Sequence, residues 1–131
     1  MLKAKPSIGA HLSTSGGLAK TFSVAKEIEA NAIQIFSKNP MAAKLKTFSD
    51  DEINDAKNSP DRTFVKYLVI HASYLLNFAK KLDKNAFQIK SLVEDIKNSE
   101  AIGGDGVVLH LGKGLDLDRK EAIKIFVENI K

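Results

Sequence analysis

Four short apolar runs punctuate the chain, separated by longer stretches in which apolar residues recur every three or four positions. The runs are Ile8-Gly9-Ala10-His11, Ala32-Ile33-Gln34-Ile35-Phe36, Leu68-Val69-Ile70-His71 and Val107-Val108-Leu109-His110. Their length and β-branched content predict strands. The spacing between them predicts helices. One covers about residues 17–29, with Leu18, Phe22, Ala25 and Ile28 on one face. A second starts at Ser49, where Ser49-Asp50-Asp51-Glu52 fits a capping box, and stops before Ser59-Pro60. A third covers about residues 85–102, with Ile89, Leu92, Val93 and Ile96 as its buried stripe and Gly103-Gly104 as its stop. Asp118 caps the fourth, whose apolar face is Ala122, Ile123, Phe126, Val127 and Ile130.

The order is β-α repeated, with about 33 residues per unit against the ~31 of an eight-unit barrel of ~250 residues. The expected fold is α/β: four βα units forming the N-terminal half of a TIM-type (β/α)8 barrel, with residues 1–131 as one segment of a larger barrel domain. The strands are apolar on both faces, as when helices cover one side and a barrel interior the other. Four strands alone leave the interior side wet, so the pattern predicts a partner surface, either a missing C-terminal half-barrel or a self-associating copy. The sequence also stops at Ile130-Lys131 within a helical pattern and without a Gly, Asn or Pro signal, which reads as a truncated segment.

Composition narrows this little further. With 131 residues, 44% hydrophobic and 27% charged, the chain falls in the range of one ordinary soluble domain. Its formal charge of +4 permits an anionic partner without demanding one. Cysteine is absent, which excludes disulfides and leaves imidazole, carboxylate and water as metal ligands. The start, from Met1 to Ser7, lacks the apolar stretch of a secretory signal, and no run approaches the ~20 apolar residues of a membrane span. The expectation is an intracellular protein, cytoplasmic or nuclear, that is neither secreted nor attached to a membrane.

All three histidines close apolar runs. Parallel α/β folds build their sites at the C-terminal ends of strands, so His11, His71 and His110 there point to a metal or acid–base site. Neighbouring parallel strands stand ~4.8 Å apart, so His71 and His110 at equal height can reach one ion. A pair of hydrogen-bonded structural histidines is the competing reading. His11, two strands from His71, reads as a group that hydrogen-bonds a ligand or substrate. Ser13-Thr14-Ser15-Gly16-Gly17 reads as helix capping before it reads as a phosphate site. Tyr74 stands just beyond His71, as a base-stacking side chain or as ordinary packing. Lys38, Lys44 and Lys46 follow the second run and Lys80, Lys81 and Lys84 follow Tyr74, either on a phosphate-attracting rim or on a solvated face. Gly112-Lys113-Gly114 has neither Walker nor Rossmann spacing, and no Ser-His-acid or Cys-His arrangement emerges from local spacing.

Ile8-Gly9-Ala10-His11-Leu12-Ser13 with Gly16-Gly17-Leu18, followed by His71-Ala72-Ser73-Tyr74-Leu75-Leu76-Asn77, resembles the endonuclease IV family of zinc-dependent apurinic/apyrimidinic endonucleases. Phe36-Ser37-Lys38-Asn39-Pro40 adds to the likeness, as do His110 and Gly112. The resemblance implies a TIM-type barrel with three zinc ions that cuts damaged double-stranded DNA on the 5′ side of an abasic sugar. It also implies that His71 and His110 are ligands of one zinc, that His11 supports the mouth, that Tyr74 enters the DNA at the lesion, and that Lys38 and Asn39 lie on the DNA. No catalytic residue beyond the metal ligands is implied. The chain departs from the family pattern at Met41, Ala43 and Leu111, where arginine, an aromatic residue and proline are expected. The family's remaining carboxylate and histidine ligands have no counterpart in these 131 residues, so at most a partial zinc site is expected and the chain alone is expected to be inactive. The competing functional classes are a sugar isomerase or epimerase of the xylose isomerase-like barrel superfamily and a non-catalytic half-barrel.

Overall fold

The computed structural model describes residues 6–131. Met1–Lys5, part of the segment lacking a secretory signal, lie outside the described residues. Four strands, β1 (Gly9–Leu12), β2 (Ala32–Ile35), β3 (Tyr67–His71) and β4 (Gly106–Val108), form one parallel sheet in sequence order. Four helices alternate with them: α1 (Leu18–Glu27), α2 (Asp50–Asn58), α3 (Phe87–Ala101) and α4 (Arg119–Ile130), with a 3-10 turn at Arg62–Phe64 before β3. This is the βα repeat that the apolar runs predict. Only the ends shift: His11 is followed by one more strand residue, and His110 lies two residues beyond β4.

The register sorts side chains between the two faces of the sheet. Leu12, Ile35, Ile70 and Val107 form one cross-strand row and His11, Gln34, Val69 and Gly106 the adjacent one. Successive residues of a strand point to opposite faces, so these rows belong to opposite sides. Ile33, Ile35, Leu68 and Ile70 are buried under the helices, where they meet Leu18, Phe22 and Ile102. Phe22 has no exposed surface, and truncating such a side chain costs about 3–5 kcal/mol. The other face is open. Tyr67 is 54% and Val108 40% exposed there, the wet interior expected of four strands.

Helix α2 carries its capping box as predicted: Ser49 Oγ accepts from the Glu52 N–H, and the Glu52 carboxylate accepts from the Ser49 N–H. Helix α1 is capped differently. Gly17 supplies no side chain, Ser13 and Ser15 bond one another, and the Asp55 carboxylate of α2 accepts from the Ala19 N–H. The helix N-terminus is therefore met by an anion of the chain itself, contrary to capping from the Ser13–Gly17 turn.

The stripes expected on α3 and α4 need correction. Ile89 and Leu92 pack beneath Leu76 and Phe78, but Val93 and Ile96 are exposed, and the fully buried face of α3 is polar: Ser91, Asp95, Asn98 and Ser99. The cause is that three of these side chains serve polar groups of neighbouring segments that demand partners when buried: Asp95 those of Ser37 and Lys38, Asn98 the Lys46 and Phe48 backbone, and Ser99 the Gly106 carbonyl. On α4, Ala122 and Ile125 are buried while Ile123, Val127 and Ile130 face solvent. Its rotation is set by the strand-end loops, since the Asn129 amide donates to the Phe78 and Lys80 carbonyls.

Gly112 has φ +102, and a Cβ there would run into the Asn77 side chain. We predict that Gly112→Ala lowers the unfolding free energy by about 1–3 kcal/mol through backbone strain and displacement of Asn77, measured by urea denaturation. An unchanged midpoint would remove the constraint argued for this loop.

Candidate metal and nucleic-acid site

The C-terminal end of the sheet gathers every histidine of the chain. His71 ends β3 and is buried, and its Nδ1–H donates to the Ala72 carbonyl oxygen at 2.7 Å. A carbonyl only accepts, so in the neutral ring that bond fixes the tautomer and leaves Nε2 as an acceptor. The His110 Nε2 lies 3.1 Å from that nitrogen and donates to it. Parity explains the meeting: His71 pairs with Val108, and two residues further on His110 emerges on the same face.

His11 stands on the same face, its ring 6.2 Å from that of His71. The Gln34 amide, beside it in register, donates to His11 Nδ1 at 2.9 Å and holds the ring upright. Partial desolvation lowers the His11 pKa below its ordinary 6.5, and the positive charge that His71 carries when protonated pushes in the same direction. Phe36 fills the space between the imidazoles, 4.5 Å from His11 and 5.3 Å from His71, and edges against Tyr74 at 5.4 Å. Tyr74 remains 53% exposed. The structure thus brings together His11, His71, His110 and Tyr74.

Lys38 turns inward. Its side chain is 6% exposed and its ammonium meets the buried Asp95 carboxylate. Asn39 sits at the rim of an open cleft of about 990 Å³ between the loops after β1 and β2, and its Oδ1 accepts from the Met41 N–H to shape the turn. Lys44 and Lys46 line the same cleft, where Lys46 pairs with Glu52. A second cleft, of about 620 Å³, lies between Tyr74, Asn77, His110 and Lys113. Lys113, discounted on loop spacing, therefore borders the candidate site.

Several positioning groups escape sequence reasoning. Thr14 Oγ1 donates to the Phe36 carbonyl, tying the first loop to the second. Ser73 Oγ and the Tyr74 N–H both donate to the Pro40 carbonyl, tying the second to the third. Asn77 bonds both the N–H and the carbonyl of Lys113, tying the third to the fourth. Ser73 and Asn77 stand inside the His71–Asn77 motif, which was the available signal. Gln34 had none. Among the described residues no three His, Asp or Glu side chains are arranged to hold one metal ion: His71 and His110 meet, but the His11 ring stands 6.2 Å from that of His71.

Helices on one face of a parallel sheet, with imidazoles and an aromatic side chain over the strand ends, define an α/β protein of the barrel class, represented here by four consecutive βα units. The chain belongs to the xylose isomerase-like TIM barrel family, whose model matches residues 22–131. It is 40% identical over 113 residues to the "Probable endonuclease 4" of Halothermothrix orenii, covering 82% of this chain and 41% of that protein. To the "Probable endonuclease 4" of Persephonella marina it is 32% identical over 127 residues, covering 95% of this chain and 44% of that protein. The crystal structure of endonuclease IV from Thermus thermophilus superposes with a TM-score of 0.77 at 26% identity, covering 95% of this chain and 46% of that chain. The chain thus spans less than half the length of these relatives.

The lowered pKa of His11 has a definite consequence for stability. The unfolded chain binds a proton there more readily than the folded one, so the contribution is fully present above pH ~6.5 and is lost as pH falls toward the depressed folded value. We predict an NMR titration midpoint for the His11 ring below 6.5, moved part of the way back by His71→Asn. A midpoint at or above 6.5 in the wild-type chain would contradict the burial argument.

Proposed function

We propose that this chain supplies the first four βα units of a DNA-repair endonuclease of the endonuclease IV kind, which cleaves the phosphodiester 5′ to an abasic sugar. The observation that carries the reading is the His71–His110 pair beside an exposed Tyr74, on a chain 40% identical to a protein named "Probable endonuclease 4".

The two imidazoles suit a zinc ion. In a tetrahedral site, two nitrogens each about 2.05 Å from the metal stand about 3.3 Å apart, and the Nε2 atoms here are 3.1 Å apart. The Ala72 carbonyl already orients His71 from behind, the arrangement that raises the basicity of a ligating histidine. His71 and His110 would hold the ion, and His110 would move its proton from Nε2 to Nδ1. Zinc in such a site supplies water activation and neutralisation of phosphate charge. Two ligands do not close a tetrahedral site, so the remaining ligands come from a complementary half of the barrel, seated on the open face of the sheet. The isolated chain is then not a competent nuclease.

Damaged duplex DNA is the proposed partner, met inside the cell. Tyr74 probes the lesion, His11 steadied by Gln34 supports the mouth, and Asn39 lies on the DNA. Lys44 and Lys113 offer ammonium groups to phosphates. Lys38, expected at a phosphate, acts by holding the turn that presents Asn39. Among the described residues no helix is long and apolar enough to cross a membrane.

Calorimetric zinc titration of the 131-residue chain should show binding that weakens by about tenfold or more in His71→Ala and in His110→Ala. Zinc affinity untouched by both variants would dismiss the proposed site.

The chain should also prefer abasic duplex to intact duplex, with affinity falling steeply as salt rises. It should cleave neither. Chelator-sensitive cleavage at enzymatic rates by the isolated chain would overturn the incompleteness, and free-sugar binding without any DNA preference would point to a sugar isomerase instead.

A further inference from the structure

The polar inner face of α3 is not accounted for by the metal site or by core packing. Asp95 has no exposed surface, and its Oδ1 accepts from both Ser37 Oγ and Lys38 Nζ, each at 2.5 Å. One turn further along the helix, Asn98 Oδ1 accepts from the Phe48 N–H at 2.8 Å and its Nδ2 donates to the Lys46 carbonyl at 2.7 Å. Glu94 accepts from Thr47 Oγ1 at 3.0 Å. A single helix thus grips both ends of the loop between β2 and α2. Between those ends Met41, Lys44 and Leu45 are exposed, and Phe48 is the loop's buried apolar anchor.

The grip reaches the candidate site in two short steps. Ser37 and Lys38 directly follow Phe36, whose ring lies against His71 and Tyr74. They directly precede the Asn39-Pro40 turn, whose carbonyl receives Ser73 Oγ at 2.6 Å and the Tyr74 N–H at 3.2 Å. Tyr74 is therefore flanked by two groups whose positions depend on residues 37 and 38. Those residues are set by one carboxylate.

We propose that Asp95 is a positioning residue for Tyr74, acting through Ser37, Lys38 and the Pro40 carbonyl to hold the aromatic side chain and the β2–α2 loop in one arrangement over the strand ends. A buried ion pair adds little net stability, because desolvation offsets the attraction. Here Asp95 Oδ2 and Ser91 Oγ also lack hydrogen-bond partners among the described residues, which weakens any stabilising account further. What the pair supplies is geometry. The functional side of the proposal rests on the reading of Tyr74 as a lesion probe, whereas the structural side does not.

Three variants test it: Asp95→Asn, Asp95→Glu, and the double variant Lys38→Met with Asp95→Leu, which leaves no buried charge unpaired. The readouts are amide hydrogen exchange at Tyr74, with Ile70 in β3 as the internal reference, and the affinity ratio for abasic over intact duplex. In Asp95→Asn the Tyr74 amide should exchange about tenfold faster or more while Ile70 is unchanged, and the abasic preference should shrink. Asp95→Glu should restore most of both. Should Asp95→Asn fail to fold, the double variant decides, with the same expectation. Wild-type exchange at Tyr74 in a folded variant would overturn the proposal. If wild-type protein shows no abasic preference, the repair reading fails while the exchange result still decides whether Asp95 positions Tyr74.

Discussion

Parallel strands in fixed register bring the histidines of this chain to one candidate site. The side-chain period along a strand is two, so pairing His11 with Gln34, Gln34 with Val69 and His71 with Val108 sends all the imidazoles to one face and Ile33, Ile35, Leu68 and Ile70 to the other. A slip of one residue in β3 would exchange Ile70 and His71, placing an imidazole among leucines and an isoleucine in the mouth. Burial of the helix-side row therefore enforces the position of the histidines. Stability and site geometry share the same constraint.

Above the sheet, order passes from loop to loop through hydrogen bonds to backbone groups as well as through apolar contacts such as Phe36 with Tyr74. Thr14 reaches Phe36, Ser73 and Tyr74 reach Pro40, Asn77 clasps Lys113, and Asn129 of α4 returns to Phe78 and Lys80. Each bond joins residues distant in sequence but adjacent in the βα series. The rim is thereby built as a connected band, which suits a surface that must present several side chains at once.

Much of this was legible in the sequence. Strands buried under helices read as continuous apolar runs, and the Ser49–Glu52 capping box is a local device that four residues specify completely. Histidines at the ends of such runs marked the candidate site, and β-α order announced the sheet that holds them. The faces of α3 and α4 were not legible, because periodicity takes the inward face to be apolar, whereas α3 turns Asp95 and Asn98 toward loop residues about fifty positions away. The ion pair of Lys38 was hidden for the same reason: its carboxylate partner is 57 residues distant and invisible to local spacing. The motif from His71 to Asn77 contained Ser73 and Asn77, yet their carbonyl and amide partners become identifiable only in three dimensions.

The strands β1 and β4 each have one hydrogen-bonded neighbour among the described residues. Each outer edge is a row of amide and carbonyl groups at the spacing a further parallel strand requires. Because the two edges differ, copies joined through them would meet head to tail, β4 of one against β1 of the next, and such a contact closes into a ring only when the rotation per copy allows it. Wherever it does not close, the same contact repeats without limit. The curvature of the four strands would decide between those two outcomes for any copies that met in this way.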